Sequence, residues 1–570
     1  MNAALVALGL PALLVGIFTL RYLRSSGFDR QLLTLRPWLA RLIERRFGGY
    51  RHCVVAPDED QPLALDGQKR VAVVGGGLGG LSTAVALSER GFDVTLFEAN
   101  HYLGGKVGGW KETDDTGEEL LVDHGFHAFF RQYYNLNDFV ARMGLSGSME
   151  PVADYAIVER TGKAWGFAEV DTVPVLNLYG LGRAGLYRFR DILTSAARDE
   201  MGVFLEYDAE HTPALLDHVT YEDFARRAEL PASLKLVFNT FARAFFSDED
   251  RLSMGELVKS FHFYYLSHDE GLVYDYPTGD YETVFIGPIA SHLEAHGAKI
   301  RTECPVEKIE PRPGGGFVVK TEREETEFDY AVLATPARVA RVIAESSPRL
   351  CEAAPGLTRR LALLQAGQRY AVLRLWLDRP FRDDLPVFFA TERPQVLDSV
   401  SSFHRIVPDL RQWATQNRGS VVELHCYALP DGMSDHEVEQ ALVDDMRQLF
   451  PEVAEATVRH RVLQVRDDFT AFHVGMSEER PETEDEELPG LYLAGDWVKL
   501  PIPCMLMEAA FTSGLYAANA IFRREGLREQ AIFSVPLRGL LADLAPLRRK
   551  AAEAAPHRRS EPAVAARTRV

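Results

Sequence analysis

Three glycines and one acid, spaced as phosphate chemistry requires, stand near the start of the chain. In RVAVVGGGLGGLSTAVALSERGFDVTLFEAN, Gly75, Gly77 and Gly80 follow the apolar run VAVV, and Glu98 closes the second apolar run DVTLF. Gly75 permits a tight turn out of a strand, Gly77 lets backbone approach a pyrophosphate, and Gly80 lets the following helix lie close to the strand. The N-terminus of that helix offers unpaired N–H groups and a favourable dipole to phosphate. A carboxylate at Glu98 is placed to accept from both ribose hydroxyls of an adenosine. This combination predicts a dinucleotide-binding βαβ unit.

A second set of candidate residues lies far from the first. Gly104, Gly105 and Lys106 come shortly after Glu98, and GLYLAGDWVKLPIPCMLMEAAFTSGLYAANAI near the far end is a short apolar strand, Gly495-Asp496, and an apolar helix carrying Glu508. Two distant segments shaped for one ligand imply an extended cofactor, FAD rather than NAD. Asp496 is a candidate for a ribityl hydroxyl, and the helix start can set its positive end beside the flavin pyrimidine.

Between them, GFHAFFRQYYNLN supplies Phe126, His127, Phe129, Phe130, Arg131, Tyr133 and Tyr134 without a serine or acid nucleophile. Neither Ser-His-Asp order, nor HExxH, nor paired Cys/His spacing occurs, so hydrolase and metal-site readings have no support. Hydride removal by a flavin asks little of the protein: a positioned C–H bond, excluded water and at most one base. Aromatic walls suit that task for an apolar substrate. Phe126, Phe129, Phe130 and Tyr133, with Phe263 and Tyr265 from SFHFYYL read as a strand, are the candidate tunnel; ordinary aromatic core is the alternative for all of them. His127 is a candidate base or a satisfied structural histidine. Arg131 pairs with a flavin phosphate or with a surface carboxylate. Glu508 is a candidate to cap a helix start, to hold a flavin hydroxyl or to act as base.

The elements that must hold these residues are set by the wider chain. Its 570 residues imply more than one domain, and 46% apolar content excludes a disordered protein. The five cysteines are scattered and form no CxxC, as reduced thiols do. Ala3 to Leu20 carries no charge and is followed at once by Arg21 and Arg24, which predicts an anchor helix with the body on the cytoplasmic side. Residues 21–51 hold eight Arg against Asp29 and Glu44, and 537–570 hold eight Lys or Arg against Asp543, Glu553 and Glu561. These basic ends flank an acidic body, since the whole chain is −19, and that balance argues against nucleic acid. RQLLTLRPWLARLIERRF fits a helix lying at a headgroup surface or one covering the domain.

Taken with these motifs, the chain resembles the FAD-dependent amine oxidase/phytoene desaturase superfamily over about residues 69–525. Within it, GFHAFFRQYYNL, SMGELVKSFHFYYLSHDEGLVYDYP and GDWVKLPIPCMLMEAAFTSGLYAAN resemble carotene desaturases of the isorenieratene synthase (desaturase/methyl-shift) type. The resemblance implies an α/β architecture: a Rossmann-type FAD-binding domain of the GR2-like flavin oxidoreductase fold, with an inserted mixed α+β substrate domain and an N-terminal hydrophobic helix. The expected segments are a membrane anchor helix at 1–24, a basic amphipathic linker at 25–68, FAD-binding parts at 69–150, 275–340 and 485–525, substrate-domain parts at 151–274 and 341–484, and a basic C-terminal helix with a disordered tail at 526–570. It also implies adenine contact by the backbone at Val306. Lys106 stands where the superfamily often has Arg, and it lacks the planar fork. The expected activity is desaturation or rearrangement of double bonds in a carotene or related isoprenoid at the cytoplasmic face of the inner membrane, with quinone or oxygen as electron acceptor. A flavin amine or lipid oxidase of the same fold and a non-catalytic, flavin-bound membrane scaffold are the competing readings.

Overall fold

The run VAVV, apolar on both faces, is what a strand covered on two sides requires. In the computed structural model, which describes residues 28–113, 117, 119–152, 154–168, 170–183 and 201–544, it is the central strand of a five-stranded parallel sheet. The strands are β1 (Arg70–Val74), β2 (Asp93–Phe97), β3 (Lys299–Arg301), β4 (Tyr330–Leu333) and β5 (Leu491–Leu493), in the spatial order β3-β2-β1-β4-β5. Each neighbouring pair is parallel. Three distant stretches of sequence therefore build one sheet.

The helices that bear on the site and its surroundings are α1 (Phe28–Phe47), α2 (Leu78–Ser88), α3 (Tyr134–Arg142), α4 (Met254–Phe261) and α5 (Leu506–Glu525). α2 is buried along its whole length. It crosses α5 where small residues face each other. Ser82 Oγ donates to the Phe511 carbonyl at 2.8 Å, and Thr83 Oγ1 donates to that of Gly514 at 3.0 Å. A Cβ on Gly514 would overlap Ser82 Oγ and the Gly79 carbonyl. The glycine in TSGLYAAN thus serves helix packing, and through it the end of the chain is locked to the first phosphate-binding turn.

A seven-stranded mixed sheet stands beside the parallel one. Its order is Val458–Arg466, Tyr370–Leu377, Ser420–Cys426, Ser399–Ser401, Phe388–Thr391, Ala156–Val158, Ala164–Gly166. Only the pair Phe388–Thr391 and Ala156–Val158 is parallel. Tyr370–Leu377 and Ser420–Cys426 are buried at every residue. Helix Asp435–Leu449 covers one face of this sheet, where Leu373, Leu375, Leu424 and Leu442 share a core. The opposite face holds Trp376 and Val421 against Phe403 and Leu410. A smaller sheet, Phe129–Phe130, Tyr274–Pro277, Met149–Pro151, carries part of the aromatic stretch.

SFHFYYL departs from the strand expected of it. It ends α4 and continues as a π-helical turn over His262–Leu266. Ser253 caps α4 by accepting from the Glu256 N–H, and the aromatic run has no period of two to hold it extended. Ala3–Leu20, expected as an anchor, lies outside the described residues. Among those described, no helix is long and apolar enough to cross a membrane. α1 packs Leu39, Ile43 and Phe47 against Val173, Leu176, Leu540 and Leu541, while Leu35 and Trp38 stay exposed at 49% and 54%. The described part of 526–570 forms the strand Ile532–Ser534, paired antiparallel with His52–Val55, and a 3-10 turn at Ala542–Leu544. Residues 545–570 lie outside the described residues.

Candidate active site

The turn after β1 has the shape a phosphate cradle needs. Gly75 adopts φ +112°, and a Cβ there would sit 2.5 Å from the Ala334 carbonyl oxygen. Gly77 is open, with only Gly105 Cα within 4 Å of its would-be Cβ. Gly80 plays another part, because a Cβ on it would overlap the Gly75 carbonyl inside the turn. No side chain caps α2 at Gly77, so its first-turn N–H groups remain free to meet an anion. Glu98 is buried. Its Oε2 accepts from the Gly76 N–H at 2.7 Å, and Oε1 accepts from the Asn100 backbone N–H at 2.8 Å. The cradle and its acid fit a dinucleotide.

The second segment closes on the first. The Gly104 N–H donates to the Gly76 carbonyl at 2.8 Å. Lys106 Nζ lies 3.3 Å from Asp496 Oδ2, bridging 390 residues of sequence, and sits 4.5 Å from the Phe469 ring centroid. Asp496 Oδ1 also accepts from Thr470 Oγ1 at 2.8 Å. One cavity of about 780 Å³ joins these parts. At one end Gly75, Gly77, Glu98, Val306, Gly104 and Gly105 line it, and Lys106, Gly495 and Asp496 continue the wall. Beyond them it opens between Phe126, Phe130, Tyr133 and Tyr265.

Other predicted residues stand apart from that wall. Phe129 is buried edge-on against Phe285, and Phe263 stacks on Tyr133 with centroids 5.9 Å apart. Phe263 thereby backs a lining residue, and Phe129 belongs to the surrounding core. Arg131 pairs with Asp275 at 2.8 Å, the carboxylate alternative. Glu508 is buried on α5 and spends both oxygens on the start of α3. Its Oε1 accepts from the Asn135 N–H at 2.9 Å and side-chain amide at 2.7 Å, and Oε2 accepts from the Leu136 N–H at 3.1 Å. It therefore caps a helix 373 residues away in sequence, not the helix on which it sits.

Burial pushes the Glu508 carboxyl up to about 8. A raised folded-state value means that the folded chain holds this proton more tightly than the unfolded one. Its stabilisation is complete below the ordinary value near 4.5 and is lost as pH rises through about 8. The thermal midpoint is expected to fall between about pH 5 and pH 8 and to level off above that, and Glu508→Gln to flatten that fall, as thermal melts across the range will read.

His127 faces the cavity from the turn after Glu119–Asp123. Its Nδ1 lies 2.8 Å from the Gly125 carbonyl, which can only accept, so Nδ1 carries the proton. Nε2 is left with a free lone pair and, among the described residues, no hydrogen-bond partner. The His127 N–H donates to Tyr281 Oη at 2.9 Å. Burial lowers the imidazole to about 4, so the ring is neutral near pH 7. Such a ring can take a proton from a carbon acid held beside it.

Sequence reasoning missed a buried charge cluster directly behind this turn. Arg374 sends Nη2 to Glu423 Oε2 at 2.7 Å and to Asp123 Oδ2 at 3.2 Å, and Nη1 to the Leu121 carbonyl at 2.9 Å. A signal existed. YAVLRLWL and SVVELHC are apolar strands with one lone charge each, and antiparallel register sets Arg374 opposite Glu423. Tyr427 and Ser399, whose hydroxyls meet at 2.8 Å on the cavity wall, gave no such signal.

Comparison with known proteins agrees with this geometry. The model of the family described as flavin containing amine oxidoreductase matches residues 78–522. A carotenoid phi-ring synthase of Streptomyces griseus is 36% identical over 506 residues, which cover 88% of this chain and 97% of that protein. Another, of Chlorobaculum tepidum, is 27% identical and covers 83% of this chain and 91% of its own. An oxidoreductase structure from Methanosarcina mazei superposes with a TM-score of 0.57 over 78% of this chain and 99% of that one; at 17% identity it shows the shared fold alone.

Proposed function

This chain belongs to the flavin-containing amine oxidoreductase family and is a flavin-dependent oxidoreductase related to carotenoid phi-ring synthases, and from that premise we propose that it desaturates or rearranges double bonds of a long apolar isoprenoid, with a carotene as its substrate. One observation carries the reading: a single cavity runs from the glycine cradle to walls of aromatic side chains. Gly75, Gly77, the free N-terminus of α2 and Glu98 would hold the ADP half of FAD. Lys106, Gly495 and Asp496 would meet its other half. When bound, the flavin supplies a two-electron acceptor for hydride.

The chain's own residues do the rest. Phe126 and Phe388 lie parallel on the cavity wall, centroids 4.7 Å apart, and with Phe130 and Tyr265 they exclude water and hold a polyene flat. His127 Nε2 accepts the proton lost from the carbon next to the one that gives up hydride, so that the electron pair of that C–H bond becomes the new π bond. Where a ring carbon turns cationic during a methyl shift, aromatic faces stabilise it by about 0.5–2 kcal/mol each. The electrons leave to quinone or oxygen.

A substrate soluble only in lipid favours work at a membrane, and we place the chain on the cytoplasmic face of the inner membrane. Uncharged Ala3–Leu20 and the exposed Leu35 and Trp38 of α1 support that placement. Purified protein is expected to be yellow, and anaerobic addition of a carotene to bleach the flavin band. Bleaching by amines with none by polyenes would replace this reading with that of an amine oxidase.

A further inference from the structure

The turn that carries His127 is held from behind by groups that never reach the cavity. Gly125 takes φ +112°, and the place of its missing Cβ is filled: His425 Cε1 would lie 2.9 Å from a Cβ there and Glu423 Oε1 3.3 Å. The His425 ring therefore rests on the Gly125 Cα. His425 Nε2 in turn lies 3.0 Å from Glu423 Oε1, and the other Glu423 oxygen is gripped by Arg374. Asp123, on the opposite side of Arg374, is the residue that leads into this turn. Asp123, Arg374, Glu423 and His425 are all buried, at most 4% exposed. Four ionisable side chains kept out of water need a reason, because a buried charge pair seldom stabilises a fold more than apolar packing would.

We propose that Glu423 is a positioning residue for His127: through His425 and the Gly125 backbone it holds the carbonyl that fixes the proton on Nδ1, and it supplies the counter-charge to the imidazolium formed when Nε2 takes a proton. The inference rests on the assignment of His127 as proton acceptor. The logic is that of a buried acid that orients a catalytic histidine without itself being protonated. The charged and titratable groups that bear on His127 are Glu423 and His425 from the mixed sheet, Lys106 from the cofactor loop and His124 from its own turn, with Tyr281 packed edge-on at 5.4 Å. Of these, Glu423 alone favours the cation, while His425 and Lys106 oppose it.

The test is a double-mutant cycle on the full-length holoprotein. Glu423→Gln keeps an acceptor for Arg374 and removes the charge. It is expected to slow anaerobic flavin reduction by a carotene at least 30-fold, with KM within threefold, and to have less than a twofold effect in a His127→Asn background. Equal slowing in both backgrounds, or a loss seen only in KM, would overturn the proposal. Should that variant not accumulate, His425→Gln loosens the contact on Gly125 while leaving Glu423 and Arg374 paired: slowing of at least threefold in the parent and less than twofold in the His127→Asn background is expected, and equal slowing in both, or none in either, overturns the positioning role.

A substrate-free readout separates this idea from the functional reading. Carbethoxylation of His127 relative to the exposed His436, followed by peptide mass spectrometry, is expected to fall at least threefold in Glu423→Gln. An unchanged ratio refutes the positioning role whatever the substrate proves to be. A changed ratio with no carotene turnover in the parent protein would sink the functional reading and keep the positioning role.

Discussion

Replacing His127 with Asn is expected to slow reduction of the flavin by a carotene by about 10²–10⁴-fold, the usual contribution of a positioned proton acceptor. Asparagine can still offer an N–H to the Gly125 carbonyl, so the turn and its aromatic neighbours stay in place. What it lacks is the basic lone pair that Nε2 provides. Bound flavin and KM should therefore stay within a few-fold of the parent while kcat collapses. Because burial holds the imidazole near 4, the parent's reduction rate should be flat between pH 6 and pH 8 on account of this group, and fall only as pH drops toward 4. Anaerobic stopped-flow across that range measures both effects. A His127→Asn rate within threefold of the parent would move the proton acceptor elsewhere.

Gly75→Val is expected to give colourless protein. At φ +112° a β-branched residue is strained, at a cost of order 1–3 kcal/mol. Its Cβ would also lie 2.5 Å from the Ala334 carbonyl oxygen, which belongs to the backbone leaving β4 and cannot swing aside. Overpacking of that kind adds about 1–3 kcal/mol. Relief can come only by moving the turn that faces the phosphates, so the loss appears in cofactor affinity as about 30-fold or more. Absorbance near 450 nm after gentle purification, with added FAD titrated back by fluorescence quenching, reads the result. Yellow protein with parental affinity would mean that the pyrophosphate is held elsewhere.

How much of the fold and site was legible beforehand depended on distance along the chain. The cradle was readable because Gly75, Gly77, Gly80 and Glu98 all lie within one βαβ unit, and Gly75 and Gly80 answer to local steric demands. Short apolar runs marked β1, β2 and β5 for the same reason. The aromatic run in SFHFYYL misled because adjacent rings carry no periodicity, and only the Ser253 cap upstream decided for a helix. Glu508 could be ranked as a helix cap, but the helix it caps begins with a partner 373 residues earlier, which no local pattern reveals. The Asp123–Arg374–Glu423 cluster was the least visible. Its members are 251 and 49 residues apart along the chain, and buried charges look in a sequence like surface ones. A lone Arg and a lone Glu inside two otherwise apolar strands were the available clue.

The crossing of α2 and α5, with Gly514 pressed against Gly79, also sets a timetable for biogenesis. The first half of the cradle leaves the ribosome early, but β5, Asp496 and α5 are translated some 400 residues later than Glu98. At about 5–20 residues per second that is an interval on the order of 20–80 s. During it the nascent chain presents an uncovered face of α2 and, once Leu333 has been made, an unpaired flank of β4, both strongly apolar. Loading of the cofactor therefore waits for nearly the whole polypeptide, and a chain stalled before residue 491 is a candidate client for chaperones and proteases.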